Sequence, residues 1–164
     1  MISEQLEARF AKEVAKYPAD QRQSAVMACL AIVQQELGWV SPESERAVAE
    51  ALGMAPIAVH EVTTFYNMYN QHPVGRFKLN VCTNLPCQLR DGQQALDHLC
   101  RRLGVDEGGT TPDGLFTVQR SECLGACADS PVMLVNDRQM CSFMSGDRLD
   151  ELVAVLRADA SHGA

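Results

Sequence analysis

The sequence carries little positive charge: 14 Lys and Arg stand against 21 Asp and Glu, for a formal net charge of −7 and a pI near 5.0. That balance excludes general binding to nucleic acid or to anionic membrane surfaces, both of which need an excess of cations. No apolar run approaches the ~20 residues of a membrane span. The N-terminal stretch Met1-Ile-Ser-Glu-Gln-Leu-Glu7 has neither the basic nor the apolar region of a secretory signal. No Cys-x-x-Cys pair occurs, although that is the spacing a dithiol oxidoreductase favours. No glycine-rich phosphate loop is present; Gly108-Gly109 and the glycine of Pro112-Asp113-Gly114 read as turns. None of the four histidines, His60, His72, His98 and His162, stands in a base–nucleophile arrangement. Seven cysteines is an odd number in a chain with no sign of export, so a disulfide framework is not expected. The expectation is a cytosolic protein of one or two small domains, its 164 residues being enough to bury a core.

Against these absences stand four cysteines in two pairs, Cys82-Thr-Asn-Leu-Pro-Cys87 and Cys123-Leu-Gly-Ala-Cys127. The 35 residues between them, 88–122, leave room for one helix and one strand. The first seventy or so residues read as a small helical bundle. Leu6, Phe10, Val14 and Tyr17 recur at helical spacing, which predicts a helix over about 3–16. Asp20 with Gln23 makes a capping-box pair ahead of a second helix whose face is Val26, Cys29, Leu30, Val33 and Leu37, with Gly38 as its stop. Ser41-Pro42-Glu43 starts a third helix, carrying Ala47, Val48, Ala51 and Leu52 and closed by Gly53. Pro56 opens a fourth, with a face of Ala58, Val62, Phe65, Tyr66 and Tyr69. The stretch from Arg46 to Phe65 resembles a helix-turn-helix, but residues 57–66 contain no Lys or Arg and include Glu61, which argues against DNA reading.

His72-Pro73-Val74-Gly75 reads as a connector, and the pattern changes after it. Phe77, Leu79 and Val81 alternate with Lys78 and Asn80 as a strand. A helix over about 87–103 shows the face Ala95, Leu96, Leu99, Cys100 and Leu103. Leu115 to Arg120 is a second strand. Val132 to Val135 is a third, turned by Asn136-Asp137 into a hairpin with Met140 to Phe143. A last helix starts near Asp147 and buries Leu149, Leu152, Val153 and Leu156. The fold class is therefore α+β: an N-terminal helical bundle followed by an α/β domain with a mixed sheet. The strand-helix-strand unit implies two parallel strands with a right-handed crossover. Cys82 and Cys123 then fall at the carboxyl ends of parallel strands, on the sheet edge where open sheets bind ligands.

Four thiolates gathered there suit a binuclear iron–sulfur cluster, with Cys82 and Cys87 on one iron and Cys123 and Cys127 on the other. Cys87 is expected at a helix start, and Gly125 gives the second loop freedom to aim N–H groups at sulfur. Asp91, Glu122 and Asp129 lie nearby in sequence. A zinc-stapled interaction module also uses four cysteines, at two to four intervening residues, and stays open as an alternative. A free-standing thiol enzyme is the third class. Cys29 and Cys100 fall on apolar helical faces and read as core, Cys141 as half-buried in a strand.

At these residues the sequence resembles the NuoE family, a subunit family of NADH-quinone oxidoreductase (respiratory complex I). The matching motifs are Glu61-Val-Thr-Thr-Phe-Tyr66, Val81-Cys-Thr-Asn-Leu-Pro-Cys87, Thr110-Thr-Pro-Asp-Gly-Leu-Phe-Thr117 and Glu122-Cys-Leu-Gly-Ala-Cys127, and the likeness covers nearly the whole chain. The resemblance implies a helical bundle for docking over residues 1–72 and a thioredoxin-like ferredoxin domain over residues 73–164. It implies one 2Fe-2S cluster on Cys82, Cys87, Cys123 and Cys127, and no independent catalytic site. It further implies a flavoprotein partner subunit that binds NADH and FMN, with the cluster near the flavin as an off-path acceptor. Other subunits of the complex would hold the chain on the inner face of the cell membrane, cytoplasmic and without membrane insertion. The same module occurs in NAD-linked formate dehydrogenases and NAD-reducing hydrogenases. Pro131 resembles the proline that is cis in thioredoxin-like folds, so a cis Ser130–Pro131 peptide is expected.

Overall fold

A computed structural model describes residues 3–162, and the chain divides into two compact units, Met1–Pro73 and Val74–Ala164. The first unit is helical. Helix α1 (Glu4–Val14) is capped by Ser3, whose hydroxyl accepts the Leu6 N–H at 3.3 Å, and it buries Leu6 and Phe10. It ends short of Tyr17, which is exposed. The expected capping box does not start the next α-helix. Ala19–Ala25 is a 3-10 stretch in which Gln21 leaves helical geometry, and its N-cap, Pro18, offers no side-chain acceptor.

Helix α2 (Val26–Leu37) follows and lies against α1 and two later helices, so it buries Ile32 besides Cys29, Leu30 and Val33. Leu37, placed on the core face by its spacing, is 54% exposed in the last turn before the left-handed Gly38. Helix α3 (Pro42–Leu52) is capped by Ser41, which accepts the Ser44 N–H at 3.1 Å, and Gly53 closes it at φ 66. Helix α4 (Pro56–Phe65) buries Val59 and Thr63. It does not run on to Tyr69 as the spacing predicts, because Tyr66 turns extended (φ −94, ψ 107) and the helical register stops. Phe65 therefore points outward, 79% exposed and edge-on to Tyr66, while Tyr69 is buried and its hydroxyl donates to the Met27 carbonyl at 2.9 Å.

The second unit is a four-stranded mixed sheet in the order β2-β1-β3-β4, formed by β1 (Phe77–Cys82), β2 (Phe116–Ser121), β3 (Met133–Val135) and β4 (Gln139–Cys141). β1 and β2 are parallel; β1–β3 and β3–β4 are antiparallel. The crossover contains a four-residue helix α5 (Leu85–Gln88) and helix α6 (Gly92–Leu103) rather than one helix over 87–103. The break has a tertiary cause. A Cβ on Gly92 would lie 2.7 Å from the Cys82 carbonyl oxygen and 2.8 Å from that of Cys87, so α6 begins where its backbone meets the cysteine loop. Helix α7 (Gly146–His162) ends the described chain.

One face of the sheet packs Leu79, Val81, Phe116, Val118, Met133 and Val135 against the apolar faces of α6 and α7. On the other face Lys78 is buried, and its ammonium pairs with Asp137 at 2.6 Å. Asn136 and Asp137 both take positive φ (54 and 56), as the tight β3–β4 turn requires. The Ser130–Pro131 peptide is cis. Among the described residues no helix is long and apolar enough to cross a membrane.

Candidate metal centre

The parallel register brings the two cysteine loops together. Cys82, the last residue of β1, pairs with Ser121, the last of β2. Beyond that rung the Thr83 N–H donates to the Ser121 carbonyl at 3.1 Å, and the Cys82 N–H donates to the Val132 carbonyl at 3.1 Å. Two side chains then tie loop to loop: Asn84 Nδ2 donates to Glu122 Oε2 at 3.0 Å, and the Arg90 guanidinium donates to the Ala128 carbonyl at 3.1 Å. Gly125 bends the second loop at φ 78, with open space where a Cβ would stand.

The four sulfurs form an inner and an outer pair. Cys82 and Cys87 are each 1% exposed and pack with Val132, Leu124 and Ala126. Cys123 and Cys127 are exposed. Burial is the main force raising the Cys82 thiol above its ordinary pKa, with the neighbouring Cys87 adding to it; backbone N–H groups of Asn84 and of Leu124, in the other loop, oppose the rise. Cys127 is raised first by its hydrogen bond with Cys123, then by burial and by negative charge on Cys123 and Cys87. Each thiol thus interacts with its pair mate, and Cys127 also senses Cys87 across the pairs. Cys87 is the third residue of a helix only four residues long, so the expected macrodipole support at that sulfur is slight.

This donor set fits a binuclear iron–sulfur centre. Four soft ligands come as two pairs, one enclosed in an apolar pocket and one at the surface, with backbone donors aimed at sulfur. A single tetrahedral ion would want its ligands converging on one point. Among the described residues no three His, Cys, Asp or Glu side chains converge in that way.

The acids near the site are engaged elsewhere. Glu122 accepts from Asn84, Asp129 accepts from Ser142 Oγ at 3.0 Å, and Asp91 accepts from Gln94 at 2.9 Å. The remaining cysteines keep apart from the two loops. Cys29 is fully buried in the first unit, where burial pushes its thiol up to about 11. Cys100 and Cys141 are half-buried against the sheet core, and burial raises both.

His98, expected on an exposed helix side, is half-buried and meets Asp150 at 3.1 Å. His60 faces Glu45, a buried carboxylate that also accepts from Thr63 Oγ1. Helical spacing offers no reason to place an acid inside the bundle. Asn84, Arg90 and Gly92 carry no sequence signal that ties them to the site, and Ser130 carries only that of standing before a proline.

A small mixed sheet with two helices on one face and four paired thiols at one edge defines a thioredoxin-like architecture of ferredoxin type. The chain belongs to the thioredoxin-like [2Fe-2S] ferredoxin family, whose family model matches residues 10–157. It is 43% identical over 144 residues to the NADH-quinone oxidoreductase subunit 2 of Thermus thermophilus, spanning 88% of this chain and 80% of that one. It is 42% identical to a NuoE-type subunit of the NADH-quinone oxidoreductase of Rhizobium meliloti, over 88% of this chain and 84% of the relative. A mitochondrial NADH dehydrogenase [ubiquinone] flavoprotein 2 of Dictyostelium discoideum is 42% identical over 77% of this chain and 51% of its own. Among solved structures, an NAD+-reducing [NiFe]-hydrogenase in the H2-reduced state shares the fold with a TM-score of 0.69 at 20% identity. That likeness covers 82% of this chain and 22% of the hydrogenase chain, and carries the fold alone.

Proposed function

We propose that this chain is the electron-transfer subunit of an NADH:quinone oxidoreductase, with one 2Fe-2S cluster on Cys82, Cys87, Cys123 and Cys127. The observation that carries the reading is the meeting of two thiol pairs at one sheet edge, the inner pair buried and the outer pair exposed. When bound, the cluster supplies one-electron transfer between two irons and an outside donor or acceptor.

The chain's own residues hold and shield that site. Cys82 is anchored in β1 and Cys87 in α5, where Val132, Leu124 and Ala126 exclude water from their sulfurs. Cys123 and Cys127 sit on the loop around Gly125, open to a docked partner. The partner is a flavoprotein subunit that binds NADH and FMN, and electrons exchange with that FMN; this chain contributes no catalytic group of its own. The names of the Thermus and Rhizobium relatives support the quinone-reducing setting over an NAD-linked formate dehydrogenase or hydrogenase. Residues 1–72 serve as the docking domain, a reading supported by the exposed Phe65 and Tyr66. In the assembled complex the chain is cytoplasmic and peripheral to the membrane.

Affinity purification of the tagged chain from its own cells tests the setting. The expected result is an FMN-containing partner and NADH oxidation in the purified complex. Recovery with a molybdenum formate dehydrogenase or a nickel hydrogenase instead would overturn the quinone assignment.

A further inference from the structure

Ser130 stands between the two thiol pairs. Its hydroxyl lies 3.2 Å from Cys87 Sγ and donates to the Cys127 carbonyl oxygen at 2.7 Å. The residue is 2% exposed, so water does not compete for either contact. Its backbone is held on both sides. The Asp129 carbonyl accepts the Phe143 N–H at 2.8 Å, and the Pro131 carbonyl accepts the Met144 N–H at 2.9 Å. These bonds fix where the hydroxyl can reach.

Proton counting shows what changes when the site is loaded. With Cys87 as a thiol, its S–H donates to Ser130 Oγ while the Ser130 O–H donates to the Cys127 carbonyl. On the reading that Cys87 ligates a cluster iron, its sulfur carries no proton and can only accept. Ser130 then holds the one proton shared among the three groups. A hydrogen bond to an ionised sulfur is stronger than one to a neutral carbonyl, which favours turning the hydroxyl toward Cys87. The Cys127 carbonyl is not abandoned by that rotation, because it also accepts the Ser130 backbone N–H at 3.4 Å.

We propose that Ser130 is a positioning residue for the metal centre: its hydroxyl donates to Cys87 Sγ, orienting the inner ligand and raising the reduction potential of the bound cluster. The potential rises because a donor to a ligating sulfur offsets negative charge, and the reduced state carries more of it. This inference rests on the proposed cluster ligation by Cys87. It goes beyond that ligation in naming a fifth residue and the property that it sets.

The test compares wild type, Ser130→Ala and Ser130→Thr by EPR-monitored redox titration, with iron and sulfide content measured on each and apo-protein thermal stability as the control. Threonine keeps the hydroxyl and alanine removes it. The expected result is a lower potential in Ser130→Ala and a potential near wild type in Ser130→Thr, at equal iron content. Resonance Raman Fe–S(Cys) bands should shift on transfer to D2O in wild type and shift less in the alanine variant. Loss of the cluster from Ser130→Ala with retention in Ser130→Thr, at unchanged apo-protein stability, also supports the role. Equal potentials in all three proteins, or cluster loss in both variants, would overturn it. A wild-type protein that never binds iron and sulfide would instead overturn the cluster reading itself.

Discussion

Cys82 and Ser121 face each other across parallel β1 and β2, each the last residue of its strand. The two cysteine loops therefore leave the sheet at the same level and in the same direction. A shift of one strand past the other by two residues would move the second loop by about 7 Å, since a strand rises about 3.3 Å per residue. That is enough to part the thiol pairs. The strand register is what turns sequence separation into a single site.

Gly92 tests how tightly that site is built. Gly92→Ala would drive a Cβ to 2.7 Å from the Cys82 carbonyl oxygen, a backbone atom that cannot step aside cheaply. Overpacking of this kind costs about 1–3 kcal/mol, and here the displaced groups are the cysteine loop itself. Urea unfolding of the apo-protein should show a loss of that size, and the purified variant should carry less iron. Wild-type stability with full iron content would mean that the loop yields freely.

Thiol reactivity should follow burial. In the apo-protein, brief iodoacetamide treatment followed by mass spectrometry should label Cys123 and Cys127 first, Cys100 and Cys141 later, and Cys29, Cys82 and Cys87 last. Cluster assembly should protect Cys123 and Cys127 without changing the labelling of Cys100 and Cys141. Early labelling of Cys82 or Cys87 would contradict the enclosed inner pair.

Cys29 gives the helical unit an alkaline limit. Its thiol is raised from 9.0 to about 11 by burial, so the folded state holds that proton more tightly than the unfolded chain does. The resulting stability is complete below pH 9, falls as the unfolded thiol ionises, and is gone once pH passes the folded value of about 11. A shift of this size corresponds to on the order of 2–3 kcal/mol. Denaturation of wild type and Cys29→Ala across this range should show the wild-type advantage shrinking as pH rises. A constant difference would mean that the thiol is not desolvated.

Much of this fold is legible in the sequence, for identifiable reasons. Ser41-Pro42, Gly38 and Gly53 place helix ends because capping chemistry is local. The strand-helix-strand spacing implies parallel β1 and β2, and with it the shared edge for both cysteine loops. What the sequence hides depends on distant partners. The gap between α5 and α6 comes from Gly92 meeting the Cys82 and Cys87 carbonyls, which no local pattern encodes. Helical spacing carried through Tyr69 puts Phe65 on a buried face and leaves Val59 off it, because nothing local announces that Tyr66 leaves the helix. Nor does anything local mark Glu45 as buried; His60 and Thr63 enclose it from the next helix. Ser130 lies outside both thiol-pair motifs, and only the fold sets its hydroxyl beside Cys87.

The central claim is that four thiols in two pairs hold a binuclear iron–sulfur cluster. Metal and sulfide analysis of the anaerobically purified protein, with EPR after reduction, tests it most directly. The account predicts a red-brown protein with about two irons and two sulfides per chain, and a one-electron-reduced EPR signal that is lost in Cys127→Ala and kept in Cys141→Ala. A colourless protein with one zinc per chain, or a cluster lost from Cys141→Ala and retained in Cys127→Ala, would contradict it.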